Sequence, residues 1–129
     1  MLAGVMDHGD ARRSIVERYF KAMQRGPDGE DDLLGLFADD AVYVEPFGGD
    51  QAPHVGTAEI RAWLKASWDS APPELVLRVD RVQVDGDQVQ ADWTCTSPAL
   101  PEPVRGVDRY TIRGGRIARL ETRLHPRMD

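Results

Sequence analysis

The second half of the chain runs in a two-residue period, and this constrains the fold more than any other feature. Leu75, Leu77 and Val79 alternate, and then Val82 and Val84 alternate in the opposite phase. Successive strand side chains point to opposite faces, so the slip predicts a β-bulge near Asp80 and Arg81 and a bent strand. Asp85-Gly86-Asp87 signals a hairpin. Val89, Ala91, Trp93 and Cys95 alternate on the next strand. A Pro-rich connection from Ser97 to Pro103 follows. Val104–Arg113 and Arg116–Leu124 then form a second hairpin around Gly114-Gly115.

The first half has helical spacing. Ile15, Val16, Tyr19, Phe20 and Met23 share one face of a helix predicted over Asp10–Gln24, with Asp10 as its N-cap. Arg25-Gly26-Pro27-Asp28-Gly29 stops it, and a short second helix carries Leu33, Leu34 and Phe37. Ala41–Phe47 reads as a strand closed by Pro46. Thr57 caps a third helix with Ile60, Trp63, Leu64 and Trp68 on one face. Three N-terminal helices against one curved antiparallel sheet make an α+β fold, a cone-shaped barrel with room for a pocket. Residues 1–9 read as a flexible tail and residues 10–126 as a single domain.

Composition narrows the function. Twenty-two acids against 16 bases give a net charge of −6, which disfavours nucleic acid and anionic membrane as partners. No apolar run approaches the ~20 residues of a membrane span. The opening MLAGVMDHGD lacks the basic and apolar regions of a secretion signal, so a cytoplasmic location is expected. The single cysteine, Cys95, excludes an internal disulfide and a multi-cysteine zinc site, and His8, His54 and His125 lack metal-ligand spacing. No metal or cofactor is expected.

Strand phase singles out one acid. On Val104–Arg113 the even positions are the apolar ones, and Asp108 falls among them. A buried carboxylate takes up a proton or finds a partner. It is either a bonded core acid or a group facing a pocket. Glu45 shares a strand face with Tyr43 and Phe47, but Val42 and Val44 make the other face equally apolar, so alternation leaves its direction open. Tyr19 lies on the apolar stripe of the first helix, as a core residue or with its hydroxyl aimed into a pocket. Two acids and a phenol around an apolar pocket could remove a proton beside a carbonyl and hold the resulting enolate oxygen.

Arg18-Tyr19, LFADDAVYVEPFGG (36–49), PHVGTAEIRAWL (53–64) and VDRYTIRGGRI (107–117) resemble the nuclear transport factor 2-like superfamily. The likeness is closest to its bacterial ketosteroid isomerases and polyketide cyclase-like proteins. It implies catalytic roles for Tyr19, Glu45 and Asp108, with Glu45 where those isomerases carry an Asp base. It also implies a pocket lined by Phe20, Phe47, Trp63, Trp93, Tyr110 and Leu124, a homodimer, and a small apolar ketone such as a steroid or polyketide as ligand. The leading expectation is a ketosteroid isomerase-like enzyme. The alternatives are a polyketide cyclase-like enzyme and a non-catalytic binding or dimerisation module.

Overall fold

The structure, a computed structural model, describes residues 8–46 and 53–125. Helix α1 spans His8–Arg25. It begins two residues before the expected start, so Asp10 lies within its first turn and is not the N-cap. There its charge still complements the helix dipole. The expected short second helix is present but only five residues long, and Phe37, expected on it, opens the first strand instead. A 3-10 turn over Gly26–Gly29 runs into a five-residue helix α2, Glu30–Leu34. Two long helices therefore flank the sheet where three were expected. Leu33 and Leu34 bury the short piece, and Gly35 already follows it.

Strand β1 covers Phe37–Val44 and β2 covers His54–Val55; helix α3 covers Thr57–Asp69. Thr57 is the first residue of α3, not its cap. The cap is Gly56, whose φ of 87° favours a residue without a Cβ. Strand β1 begins four residues earlier than its apolar pattern suggests, because Phe37 pairs with Ile117 while Asp39 and Asp40 stay exposed. It stops before Glu45. Strands β3 (Val76–Asp85), β4 (Gln88–Thr96), β5 (Val104–Arg113) and β6 (Arg116–Leu124) complete the fold. The register of β3 on β4 shifts between Val79 and Arg81, where the phase slip placed the bulge.

The six strands lie in the order β2-β1-β6-β5-β4-β3. Strand β1 runs parallel to β6, so the sheet is mixed and not wholly antiparallel. β2 and β3 remain edges, and the sheet does not close into a barrel. Helix α1 packs on β3 and β4, and α3 on β1 and β2. Val16, Tyr19, Leu64, Val89, Tyr110 and Leu120 form the centre of the core between helices and sheet.

Among the described residues, no helix is long and apolar enough to cross a membrane.

Candidate active site

Between the helices and the sheet lies a cavity of about 790 Å³. Phe20, Met23, Trp63, Trp68, Leu75, Leu77, Leu100 and Val104 give it apolar walls. Tyr19 from α1, Tyr43 from β1, Trp93 from β4, Asp108 from β5 and Thr122 from β6 supply its polar groups. Among the described residues, no group of three or more His, Cys, Asp or Glu side chains could hold a metal ion.

Asp108 is the centre of the polar group. It is 3% exposed and accepts three hydrogen bonds. The Trp93 indole donates to Oδ1 at 3.0 Å, the Thr122 hydroxyl to Oδ1 at 2.8 Å, and the Tyr110 hydroxyl to Oδ2 at 2.7 Å. Burial pushes the carboxyl up from 3.8 to about 6, against the pull of Tyr110, Thr122 and Trp93. A carboxyl poised there exchanges protons readily near neutral pH. Two donors already meet Oδ1, one of them an indole N–H that can only donate, so Oδ2 is the better seat for an incoming proton.

Trp93 reaches Asp108 because Gly106 lies directly opposite it across β4 and β5. A Cβ on Gly106 would run into the indole ring and the Arg123 carbonyl oxygen. The missing side chain lets the indole lie over β5, with its N–H aimed one pleat along.

The phenols form a second tier. Burial, followed by the neighbouring Tyr43, raises the Tyr19 hydroxyl well above its ordinary value. Burial and the Asp108 charge raise Tyr43. Tyr19 and Thr122 adjoin Tyr43, and both act on its hydroxyl against the upward push of burial. Its ring stands edge-on to Trp63 at 4.9 Å.

The structure thus brings Tyr19 and Asp108 together on one cavity, and places Phe20, Trp63 and Trp93 on its walls. Tyr110 is not on the wall. It is wholly buried beside Asp108 as a hydrogen-bond donor. Leu124 is not on the wall either. It is 39% exposed and borders a separate recess of about 420 Å³ with Val44, Pro46 and Glu121, because β6 runs past the helices there. Phe47 lies outside the described residues. Glu45 is 5% exposed, inward beside Tyr43, with Oε1 3.5 Å from His54 Nε2, but it does not line the cavity.

Tyr43 and Thr122 escaped the sequence reading. Thr122 sits in the inward phase of β6 with Leu120, the same signal that singled out Asp108. Tyr43 gave no such signal, because both faces of β1 are apolar.

A family model for the SnoaL-like domain matches residues 16–120. The chain belongs to the SnoaL-like family. It is 32% identical to a proposed polyketide cyclase from Sinorhizobium meliloti, over 85% of this chain and 94% of that one, with a TM-score of 0.72. A proposed ketosteroid isomerase from Kribbella flavida shares the fold at 18% identity, covering 97% and 85% of the two chains, with a TM-score of 0.78. A nuclear transport factor 2-like protein of unknown function from Mesorhizobium loti does so at 20% identity, covering 95% and 97%, with a TM-score of 0.76. No match was found among curated proteins. The SnoaL-like chain therefore has the nuclear transport factor 2-like fold that its sequence resembles.

Proposed function

We propose that this SnoaL-like protein is an enzyme that enolises an apolar ketone, with Asp108 as the acid–base group. One observation carries the reading: a buried carboxyl with a pKa of about 6 meets an apolar cavity of about 790 Å³ beside two phenols. Asp108 takes the proton from the carbon next to the carbonyl. The C–H bond breaks, its electron pair moves onto the carbonyl oxygen, and an enolate forms. Phenol donors at Tyr19 and Tyr43 hold that oxygen in a site shielded from water.

The enolate then attacks a second carbonyl of the same molecule. A carbon–carbon bond closes a ring, and the new alkoxide recovers the proton from Asp108. Atoms and electrons balance with no external oxidant or reductant. This polyketide cyclase-like course needs one acid–base residue, and Asp108 fills that role. The likeness to the Sinorhizobium protein supports it.

A ketosteroid isomerase-like course is the second reading. There the proton returns to another carbon of the same ligand with Glu45 as base. The burial of Glu45 beside Tyr43 favours it, but the position of Glu45 off the cavity wall ranks it below Asp108.

The test is hydrogen–deuterium exchange next to the carbonyl of polycyclic ketones, followed by NMR in D2O. The protein should exceed the buffer rate, with a rate that rises with pH through about 6 as Asp108 ionises. Asp108→Asn should lower the exchange by about 10²–10⁴-fold. Equal exchange by Asp108→Asn would refute the reading. If Glu45→Gln alone abolishes exchange, the isomerase course replaces it.

A further inference from the structure

The inner end of the cavity is formed by Tyr19, Tyr43, Trp93 and Asp108, all buried, whereas Gln24, Pro27, Ser70 and Ala71 on its wall are exposed. Its mouth therefore lies between the end of α1 and the end of α3. One side of the mouth is residues 70–75, the connection from α3 to β3, of which Ser70, Ala71, Pro72 and Leu75 line the cavity. Pro72 and Pro73 have no N–H with which to anchor this stretch. Side chains of other segments tie it instead. The Ser97 hydroxyl, just beyond β4, donates to the Pro73 carbonyl at 2.6 Å and accepts from the Ala99 N–H at 3.1 Å. The Gln24 amide, on α1, donates to the Leu75 carbonyl at 3.0 Å and accepts from the Leu77 N–H at 2.6 Å. Between the two ties stands Glu74, with φ of 52°, the only residue other than glycine at positive φ among the described residues.

We propose that residues 70–75 are a latched strap that opens as one unit to admit ligand to the cavity, with Ser97 and Gln24 as its latches and Glu74 as its strained point. The strap rests on the cavity being the ligand site, and on nothing about the reaction inside it. The latches are exposed hydrogen bonds, and each weights the closed form by only about fivefold. The left-handed backbone at Glu74 takes back about tenfold, because a Cβ there crowds the backbone. Three such bonds against one strained residue leave the closed form ahead by about tenfold, so about one molecule in ten stands open. Glu74 leaves the left-handed region only when a latch lets go, so release of one latch favours release of the other. A ligand shifts the balance back. Pro72 and Leu75, both half-buried on the wall, meet its apolar surface in the closed form. The strap thus admits a ligand and then slows its exit.

Exchange of the Leu77 N–H with water, followed by NMR in the ligand-free protein, reads the opening. Ser97→Ala removes the Pro73 latch and leaves the Gln24 bonds in place, yet it should speed Leu77 exchange about three- to fivefold. Glu74→Gly relieves the strain and should slow that exchange about threefold, the greater freedom of glycine in the open strap offsetting part of the gain. Glu74→Ala keeps the Cβ and the strain, and should match the wild type.

Binding of β-naphthol, followed by stopped-flow quenching of the tryptophans on the wall, reads the gate. The probe should enter and leave faster in Ser97→Ala and slower in Glu74→Gly, with Kd changing less than either rate. N-Ethylmaleimide, which needs only to reach Cys95 on the wall, should label the variants in the same order. Unchanged Leu77 exchange in both Ser97→Ala and Glu74→Gly would overturn the strap as a unit. Altered exchange with unchanged probe entry and unchanged Cys95 labelling would overturn it as a gate. No arm requires turnover, so a failure of ketone exchange refutes the enolising reading separately.

Discussion

Asp108→Asn should make the protein more stable as it disables it. In the folded chain the Asp108 carboxyl is raised from 3.8 to about 6 by burial. The folded state therefore binds its proton more tightly than the unfolded state does, and stability falls as pH rises across that interval. At about 1.4 kcal/mol per pKa unit, the ionised carboxylate costs the fold about 3 kcal/mol at pH 7. The cost fades as pH falls through 3.8, below which both states become protonated. Asparagine keeps the shape and most of the hydrogen bonds. Its oxygen accepts from Trp93 and Thr122 as Oδ1 does now, and its amide can donate to the Tyr110 oxygen. It carries no charge at any pH. Urea denaturation of both proteins at pH 4 to 8 measures the difference. The advantage of Asp108→Asn should grow by about 2–2.5 kcal/mol between pH 4 and pH 7 and then level off. A difference independent of pH would refute the reasoning, because it would place the carboxyl near its ordinary value and remove the poised acid from the site.

Other outcomes follow from the same geometry. Tyr110→Phe removes the donor to Oδ2, so it should raise the Asp108 pKa further and cost about 1–3 kcal/mol, with the larger loss at pH 7 than at pH 4. Denaturation at the two pH values reads it. Gly106→Ala should force the indole off β5 and destabilise by about 1–3 kcal/mol, and tryptophan fluorescence should report the displaced ring. The Cys95 thiol lies on the cavity wall and is raised by burial, so it should react more slowly than a free thiol with small alkylating reagents. A bound polycyclic ketone should slow the labelling further, which mass spectrometry would follow.

Strand phase was enough to locate Asp108, the bulge in β3 and both hairpins, because a period of two allows only one inward set. It was not enough for the parallel pairing of β1 with β6, since nothing local in either strand names its neighbour. The first strand also hid its start, because Asp39 and Asp40 interrupt the apolar run while the backbone continues to pair. Tyr110 was rightly placed inward but not at its task. Alternation gives a face, whereas the choice between lining a cavity and bracing Asp108 depends on what packs above. Leu124 failed for the complementary reason. It keeps the inward phase of β6, but the strand outruns the helices that would cover it. Gly106 was visible as a gap in an inward stripe, and only the opposing tryptophan gives the gap its meaning.

The position of β6 has a consequence for how the chain acquires its shape. The last strand in sequence is an interior strand of the sheet, seated between β1 and β5. On the ribosome the chain emerges from its N-terminus, so β1 and β5 both wait with one side unpaired until residues 116–124 are free. Unpaired strand edges invite association with other chains. Thr122, which completes the set of donors around Asp108, arrives only with that final segment. The first 115 residues can therefore form helices and the β3–β4–β5 meander, but they hold a carboxylate short of one partner and two open edges. Completion of the sheet waits for residues 116–124, and the long separation between β1 and β6 makes that step a slow one.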